Sequence, residues 1–570
     1  MALAKLTTAH GEARNRTPWQ SYPRPQLRRD SYVNLNGEWD FTTHTDAGLP
    51  QAYDREILVP FCPESPLSGI ETHFPEGTPL FYRRFFTLPE GFNRGRVLLH
   101  IGAADQTAEI YVNRKKLFSH TGGYESFSVD ITGALETENE LVIRCTDDLR
   151  DLSQPYGKQT MKRGGMWYTP VSGIWQTVWL ESVPENYVNR IDISNTLDSA
   201  TITVTPALSG KVRCGIKEFP LIDGRATVTV DEPIHWTPET PCLYDFTVFA
   251  GEDKVHSYFA LRTLETKVVE GIPRLCLNGK PYFFHGLLDQ GYWPDGLFTP
   301  AAPECFAEDI LAMKKLGFNT LRKHIKVEPE QFYYDCDRLG MVVFQDMVNN
   351  GDYAYIRDTV RPTFFSQHRR DKNMHRDEKT RKAFLAAMKA TVDQLKNHPC
   401  ICYWTIFNEG WGQFDSDSVY PVLKELDGTR FIDSTSGWFR QSRSDVESLH
   451  IYFDMWHRLK KSDKPIVLSE FGGFTYAAPG HIFNPDRSYG YGGCKTAGEL
   501  SQKLLDIYQS RVIPAVKQGL CGSIYTQLSD VEDEINGIVT YDRRVCKPDP
   551  EVMNTIAKAL ADALNTPVSV

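Results

Sequence analysis

The sequence predicts a multidomain chain, β followed by α/β: an N-terminal jelly-roll-like β-sandwich, an immunoglobulin-like β-sandwich and a C-terminal (β/α)8 TIM barrel. Three observations carry this expectation. The chain has 570 residues, several times the ~150 of a typical domain. Its first half repeats short alternating apolar runs separated by turn residues, the pattern of sandwiches. Its second half alternates helical periodicity with short apolar strands, the pattern of a parallel β/α architecture. The expected boundaries are 1–183, 184–267 and 268–570.

The runs Val97–Ile101, Ala108–Val112, Glu140–Arg144 and Trp175–Glu181 read as strands of the first sandwich, with Val183-Pro-Glu as a linker. Thr201–Thr205, Ala226–Val230 and Tyr244–Phe249 follow within a segment of about 80 residues, the size of one small immunoglobulin-like sandwich. After Leu277-Asn-Gly-Lys280 the texture changes. Cys305–Leu316 places Phe306, Ile310, Met313 and Leu316 on one helical face and stops at Gly317. Gln331–Leu339 and Lys379–Lys396 read as further helices. The strands between and after them are Ile401–Phe407, Phe431–Asp433, Ser448–Tyr452, Ile466–Ser469 and Gly522–Thr526. About 300 residues of this alternation fit one closed barrel.

Sixty-three Lys and Arg against 73 Asp and Glu leave a net charge of −10, which repels polyphosphate and gives no support to a nucleic-acid partner. No apolar run approaches the ~18 residues of a membrane span. The polar start of the chain lacks an apolar leader core, so the cytoplasm is the expected location. Twelve Cys without C-x-x-C spacing, and no His-Glu-x-x-His, give no disulfide scaffold and no expected metal or cofactor.

In a β/α barrel the reacting groups sit where strands end. Two strand ends finish on a carboxylate: Trp404-Thr-Ile-Phe-Asn408-Glu409 and Ile466-Val-Leu-Ser-Glu470-Phe-Gly-Gly473. Opposed carboxylates are what glycosidic bond cleavage needs, one to protonate the departing oxygen and one to attack the anomeric carbon or activate water. Retention and inversion both remain open at this point.

Several segments then resemble glycoside hydrolase family 2, the β-galactosidase, β-glucuronidase and β-mannosidase clan, over nearly the whole chain. They are Leu35-Asn-Gly-Glu-Trp-Asp-Phe41, Gly122-Gly-Tyr-Glu-Ser-Phe, Ser172-Gly-Ile-Trp-Gln-Thr-Val-Trp179, Trp236-Thr-Pro-Glu-Thr-Pro-Cys-Leu-Tyr244, Gly317-Phe-Asn-Thr-Leu-Arg322, Asn408-Glu409 and Ser469-Glu470-Phe-Gly-Gly. The resemblance implies a retaining exo-β-glycosidase with Glu409 as acid then base and Glu470 as nucleophile. It further implies that Asn408 binds the sugar 2-hydroxyl and that Tyr452 orients the nucleophile, with His450 one strand-step earlier on the same face. Arg322 and His324 match a strand-end Arg and a sugar-binding His.

Elsewhere the chain departs from the family pattern. Asp289-Gln290 stands where others have a His, and Gln527 stands where many carry a Trp platform. Trp438 or Trp411 would then supply the apolar face for the sugar ring. The loop Lys158–Tyr168 lacks the family's Asp and carries Lys158, Lys162 and Arg163 instead. A uronic acid would be read by a basic group, for which Lys323, Lys326, Arg163 and Arg487 are candidates; each also reads as a structural ion pair. The glucuronidases' Asn-x-Lys motif is absent after the last strand, where Ser529–Ile538 is acidic. The expected substrate is a terminal β-glycoside of galactose type, with a β-hexuronide (galacturonide or glucuronide) as the alternative. A catalytically silent carbohydrate-binding protein is the alternative from another class, opposed by the presence of both carboxylates. Self-association into a homo-oligomer stays open.

Overall fold

The computed structural model describes residues 3–565 except 14, 46–47, 366–368 and 454. The first sandwich packs a four-stranded sheet (Tyr32–Asn34, Val178–Val183, Arg96–Ile101, Phe127–Asp130) on a six-stranded one running from Arg55–Val59 to Lys115–Thr121. Trp39, Phe41, Tyr82, Leu99, Ile110 and Ile143 fill the space between them. The second sandwich has three plus four strands between Arg190 and Phe259. In Ser199–Thr205 and Arg225–Thr229 every second side chain is buried, as one-sided packing requires.

The third unit is a ring of eight parallel strands: β1 Phe284–Asp289, β2 Thr320–Lys323, β3 Val342–Asp346, β4 Ile401–Asn408, β5 Phe431–Ser436, β6 Glu447–Ile451, β7 Ile466–Phe471 and β8 Leu520–Tyr525. All eight residues of β4 are buried, because helices cover the outside and side chains fill the inside. The hydrogen-bond ladder runs β5-β4-β3-β2-β1-β8-β7-β6. Between β5 and β6 it is replaced by side-chain contact, Ser436 Oγ to Ser448 Oγ at 3.4 Å. Among the described residues no α-helix joins β5 to β6 or β6 to β7; the second connection holds only the 3-10 turn Trp456–Arg458. This ring is therefore more open on that side than the regular barrel the sequence predicts.

Among the bonds that join the units, two sets bear most on the site and its support. The loop 153–172 of the first sandwich is stitched over the barrel mouth: Asn349 O accepts from Tyr156 N at 3.2 Å, Asn350 Nδ2 donates to Ser153 O at 2.6 Å, and Glu532 Oε1 accepts from Thr169 N at 3.0 Å. Below, Arg29 bridges Glu181 of the first sandwich (3.1 Å) and Asp253 of the second (2.8 Å), while Arg24 adds 2.7 Å to Glu181. Burial opposes charge on Glu181, yet Arg24, His100 and Arg29 hold its carboxyl well below the usual range. Glu181→Gln would leave Arg24 without its carboxylate and Arg29 with Asp253 alone. We expect a loss of about 3 kcal/mol in denaturant unfolding.

Candidate active site

The two strand-end carboxylates meet. Glu409 follows β4 directly, in the left-handed backbone region at φ 50°, and Gly410 behind it has φ 73°. This turn aims the Glu409 side chain at the mouth; its carboxyl receives His450 Nδ1 at 2.8 Å. Glu470 lies in β7 and is 4% exposed. One oxygen of each carboxyl and one ring nitrogen of His450 lie within 4.8 Å of one another.

Their surroundings differ. Glu470 Oε1 accepts from Arg322 Nη1 at 3.0 Å and Oε2 from the Tyr452 hydroxyl at 2.7 Å. Burial alone would raise its pKa; His450, Arg322, His324 and the Tyr452 bond outweigh that and bring it to about 2. Glu409 has only the His450 bond among the described residues, and 21% of its side chain is exposed.

Arg322, at 0% exposure, is the centre of the floor. Its Nε donates to Asp346 Oδ1 (3.0 Å), Nη2 to Asn408 Oδ1 (2.9 Å) and Nη1 also to Ser469 O (3.0 Å). Four strands, β2, β3, β4 and β7, are thereby fixed through one guanidinium. Asp346 Oδ2 accepts a hydrogen bond from His324 Nδ1 at 2.7 Å. Burial and nearby Lys158 push the His324 pKa down to about 4 despite Asp346. The ring is therefore neutral at pH 7, and Nε2 is an acceptor for a hydroxyl.

The pocket above this floor is lined by Asn408, Glu409, Glu470, Tyr452, His324 and Gln290, all expected from the sequence, and by Trp411. The Gln290 Nε2 is buried with no protein partner, a donor that a ligand oxygen can satisfy. The walls include residues that the sequence reading passed over as site residues: Lys158, Met166 and Trp167 from the first sandwich, and Tyr353, Tyr489, Tyr491, Thr526 and Glu534 from the barrel loops. Trp167 meets Trp411 edge-on at 4.7 Å and Tyr353 at 4.9 Å, closing one side with aromatic faces. The exceptional loop 158–168, with basic residues where an acid was expected, was the only signal for Lys158.

Other expected residues lie off the lining. Lys323 alternates with Arg322 along β2, so it points outward, to Asp289 (2.6 Å) and Glu328 (2.8 Å). Lys326 is buried on the carbonyls of Gly291 and Phe298 and on Glu328. Arg163 pairs with Asp533 at 2.8 Å, and Arg487 stands exposed in its loop. Gln527 Nε2 donates to Asn536, and Trp438 packs at 5.6 Å from His450, with Met374 and Phe439 in the same cluster. Asp289, held by Lys323 and the Gly291 amide, supports Gln290 from beneath.

A family model described as glycosyl hydrolases family 2, TIM barrel domain, matches residues 269–555. The chain belongs to glycosyl hydrolase family 2. It is 24% identical over 433 residues to a β-galactosidase of Thermoanaerobacter pseudethanolicus, covering 70% of this chain and 54% of that one. It is also 24% identical over 471 residues to the β-glucuronidase of Homo sapiens, covering 70% and 69%. The chain thus spans about half of the first relative and about two thirds of the second. Among solved structures, a β-galacturonidase from Eisenbergiella tayi superposes with TM-score 0.67 at 19% identity over 95% of this chain and 98% of its own. A Ruminococcus gnavus β-glucuronidase gives 0.73 at 16% over 95% and 99%. These structures share the family 2 architecture of sandwiches and barrel.

Glu409, His450 and Glu470 are also close enough to hold a cation, but the Arg322 guanidinium 3.0 Å from Glu470 already supplies positive charge there. Arg322→Met removes it and leaves Glu470 and Asp346, both held below their ordinary pKa, without the guanidinium they share. The expected loss is about 3–5 kcal/mol at neutral pH. Depressed carboxyls contribute stability above their unfolded pKa and lose it as pH falls through the folded one. The deficit in a thermal melt should therefore shrink between about pH 4.5 and about pH 2, the ordinary and folded values for Glu470.

Proposed function

We propose that this chain is a retaining exo-β-glycosidase acting on a terminal β-hexuronide. The single observation carrying the retaining chemistry is that oxygens of Glu409 and Glu470 lie within 4.8 Å. Retaining enzymes keep their carboxyls about 5–5.5 Å apart, and inverting ones about 6.5–9.5 Å, to admit a water. The low pKa of Glu470 keeps it ionised as a nucleophile, while Glu409, partly exposed at the mouth, faces the leaving group. Glu470 attacks the anomeric carbon as Glu409 protonates the departing oxygen. Water, deprotonated by Glu409, then releases the sugar. Asn408, oriented by Arg322, meets the sugar 2-hydroxyl, and His324 Nε2 accepts from another hydroxyl.

Lys158 supports the uronide. It lines the pocket, and among the described residues no carboxylate lies within salt-bridge distance of it. A sugar carboxylate would supply that partner, worth about 1.5–3 kcal/mol as a charge-assisted bond. Glucuronidases and galacturonidases among the similar proteins agree with this choice. The absent Asn-x-Lys favours the galacturonide. A neutral β-galactoside is the second reading, because Glu534 at the wall offers a carboxylate to sugar hydroxyls and the Thermoanaerobacter relative is a β-galactosidase.

The test is a panel of p-nitrophenyl β-glycosides with Glu470→Gln as the inactive control. Hydrolysis should be fastest on a β-hexuronide, and Lys158→Met should lower kcat/KM on it by about 10- to 100-fold with little change on neutral sugars. Equal loss on both classes would return the assignment to the galactoside, and turnover surviving in Glu470→Gln would sink the mechanism.

A further inference from the structure

We propose that His450 is a positioning residue for proton transfer: it clamps Oε1 of Glu409 and so reserves Oε2 for the proton that goes to the leaving group. The proposal rests on the acid/base reading of Glu409. Glu470 is held at both oxygens, by Arg322 and by Tyr452. Glu409 has one anchor, His450 Nδ1 at 2.8 Å. Without it, a partly exposed carboxyl turns freely and presents its protonated oxygen to the aglycone only part of the time.

The ring itself is fixed. It is buried in β6, with Nε2 2.9 Å from Ser436 Oγ, which continues to Ser469 Oγ at 3.0 Å. Ser436 Oγ donates to Ser469 Oγ and so accepts from Nε2; with both ring nitrogens protonated, Nδ1 donates to Glu409 at the same time. The charged groups facing the ring are Glu409, Glu470 (3.6 Å) and Arg322 (3.5 Å), with buried Asp433 of β5 acting through space. Gly437 makes room: a Cβ there would fall 2.6 Å from ring atoms Cγ and Nδ1.

The electron count is simple. As Glu470 forms its bond to the anomeric carbon, the glycosidic C–O bond breaks and its electron pair stays on the aglycone oxygen. That oxygen takes the proton from Glu409 Oε2. The carboxylate left behind keeps the His450 N–H on Oε1, now a charge-assisted and stronger bond. In the second half an attacking water returns its proton to Oε2 as the bond to Glu470 breaks.

The experiment compares kcat/KM on dinitrophenyl and methoxyphenyl glycosides of the preferred sugar for wild type, E409Q, H450Q, H450N and G437A. The first leaving group departs without a proton and the second needs one. An Asn amide nitrogen occupies the place of Nδ1, whereas Gln places its amide at Nε2. H450Q should lose on the order of 100-fold on the methoxyphenyl glycoside and under about fivefold on the dinitrophenyl one. H450N should recover most of that loss, and G437A, which displaces an unaltered ring, should show the same split if H450Q fails to fold. Uniform losses across both leaving groups, or H450N as impaired as H450Q, would overturn the assignment. If E409Q itself ignores the leaving group, the acid/base reading of Glu409 falls, and the role of His450 falls with it.

Discussion

The site depends on Arg322, a cation that the sequence places at the sugar and the structure places outside the pocket lining. Arg322 is wholly buried, and an isolated charge there would be prohibitive. It persists because its donors meet two carboxylates, an amide oxygen and a backbone carbonyl from three other strands. A lysine could not do this, since only the planar guanidinium fork reaches several acceptors at fixed angles. The attraction that offsets burial of Arg322 is the same attraction that keeps Glu470 ionised. Fold and reactivity therefore share one interaction, and neither can be altered without the other.

From that centre the two carboxyls diverge. Glu470 sits beside the cation and under a tyrosine hydroxyl; Glu409 sits on a left-handed turn past the strand end, where one imidazole reaches it. The difference comes from a single step in the chain. Glu470 is part of its strand and inherits the barrel interior, whereas Glu409 follows Asn408, whose side chain takes the interior place at the end of β4 and binds Arg322. In the proposed mechanism adjacent residues on one strand end thus serve the sugar and the leaving group.

Much of this was legible from the sequence, and the limits have physical causes. Apolar runs ending in Glu gave both carboxylates because strand alternation and burial are local properties. Tyr452, Asn408 and His324 came instead from the resemblance to family 2, matched position by position. Lys323 was not separable from Arg322 by composition, although period-two alternation sends the first outward and the second inward. Lys326, Arg163 and Trp438 are occupied by partners distant in sequence, such as Phe298, Asp533 and Met374. Lys158 and Trp167 were hidden for the opposite reason. They reach the barrel from another domain, and nothing local to residues 158–168 states where that loop lands.

That crossing loop makes the first sandwich part of the pocket in a barrel that carries both carboxylates. A barrel mouth is open to water, and an open mouth would screen Arg322 and the His450 bond alike. The first sandwich lays Met166, Trp167 and Lys158 across it, and Trp411 and Tyr353 complete the wall with edge contacts of 4.7 to 5.6 Å. The loop is held to the turns after β3 and β8 by its backbone amides and by the side chains of Tyr156, Arg163 and Tyr168. Its contribution is a dry, shaped wall bearing one cation, over a floor whose charges are already balanced. In the proposed mechanism the floor carries the carboxylate chemistry, and the wall is where the sugar would be selected.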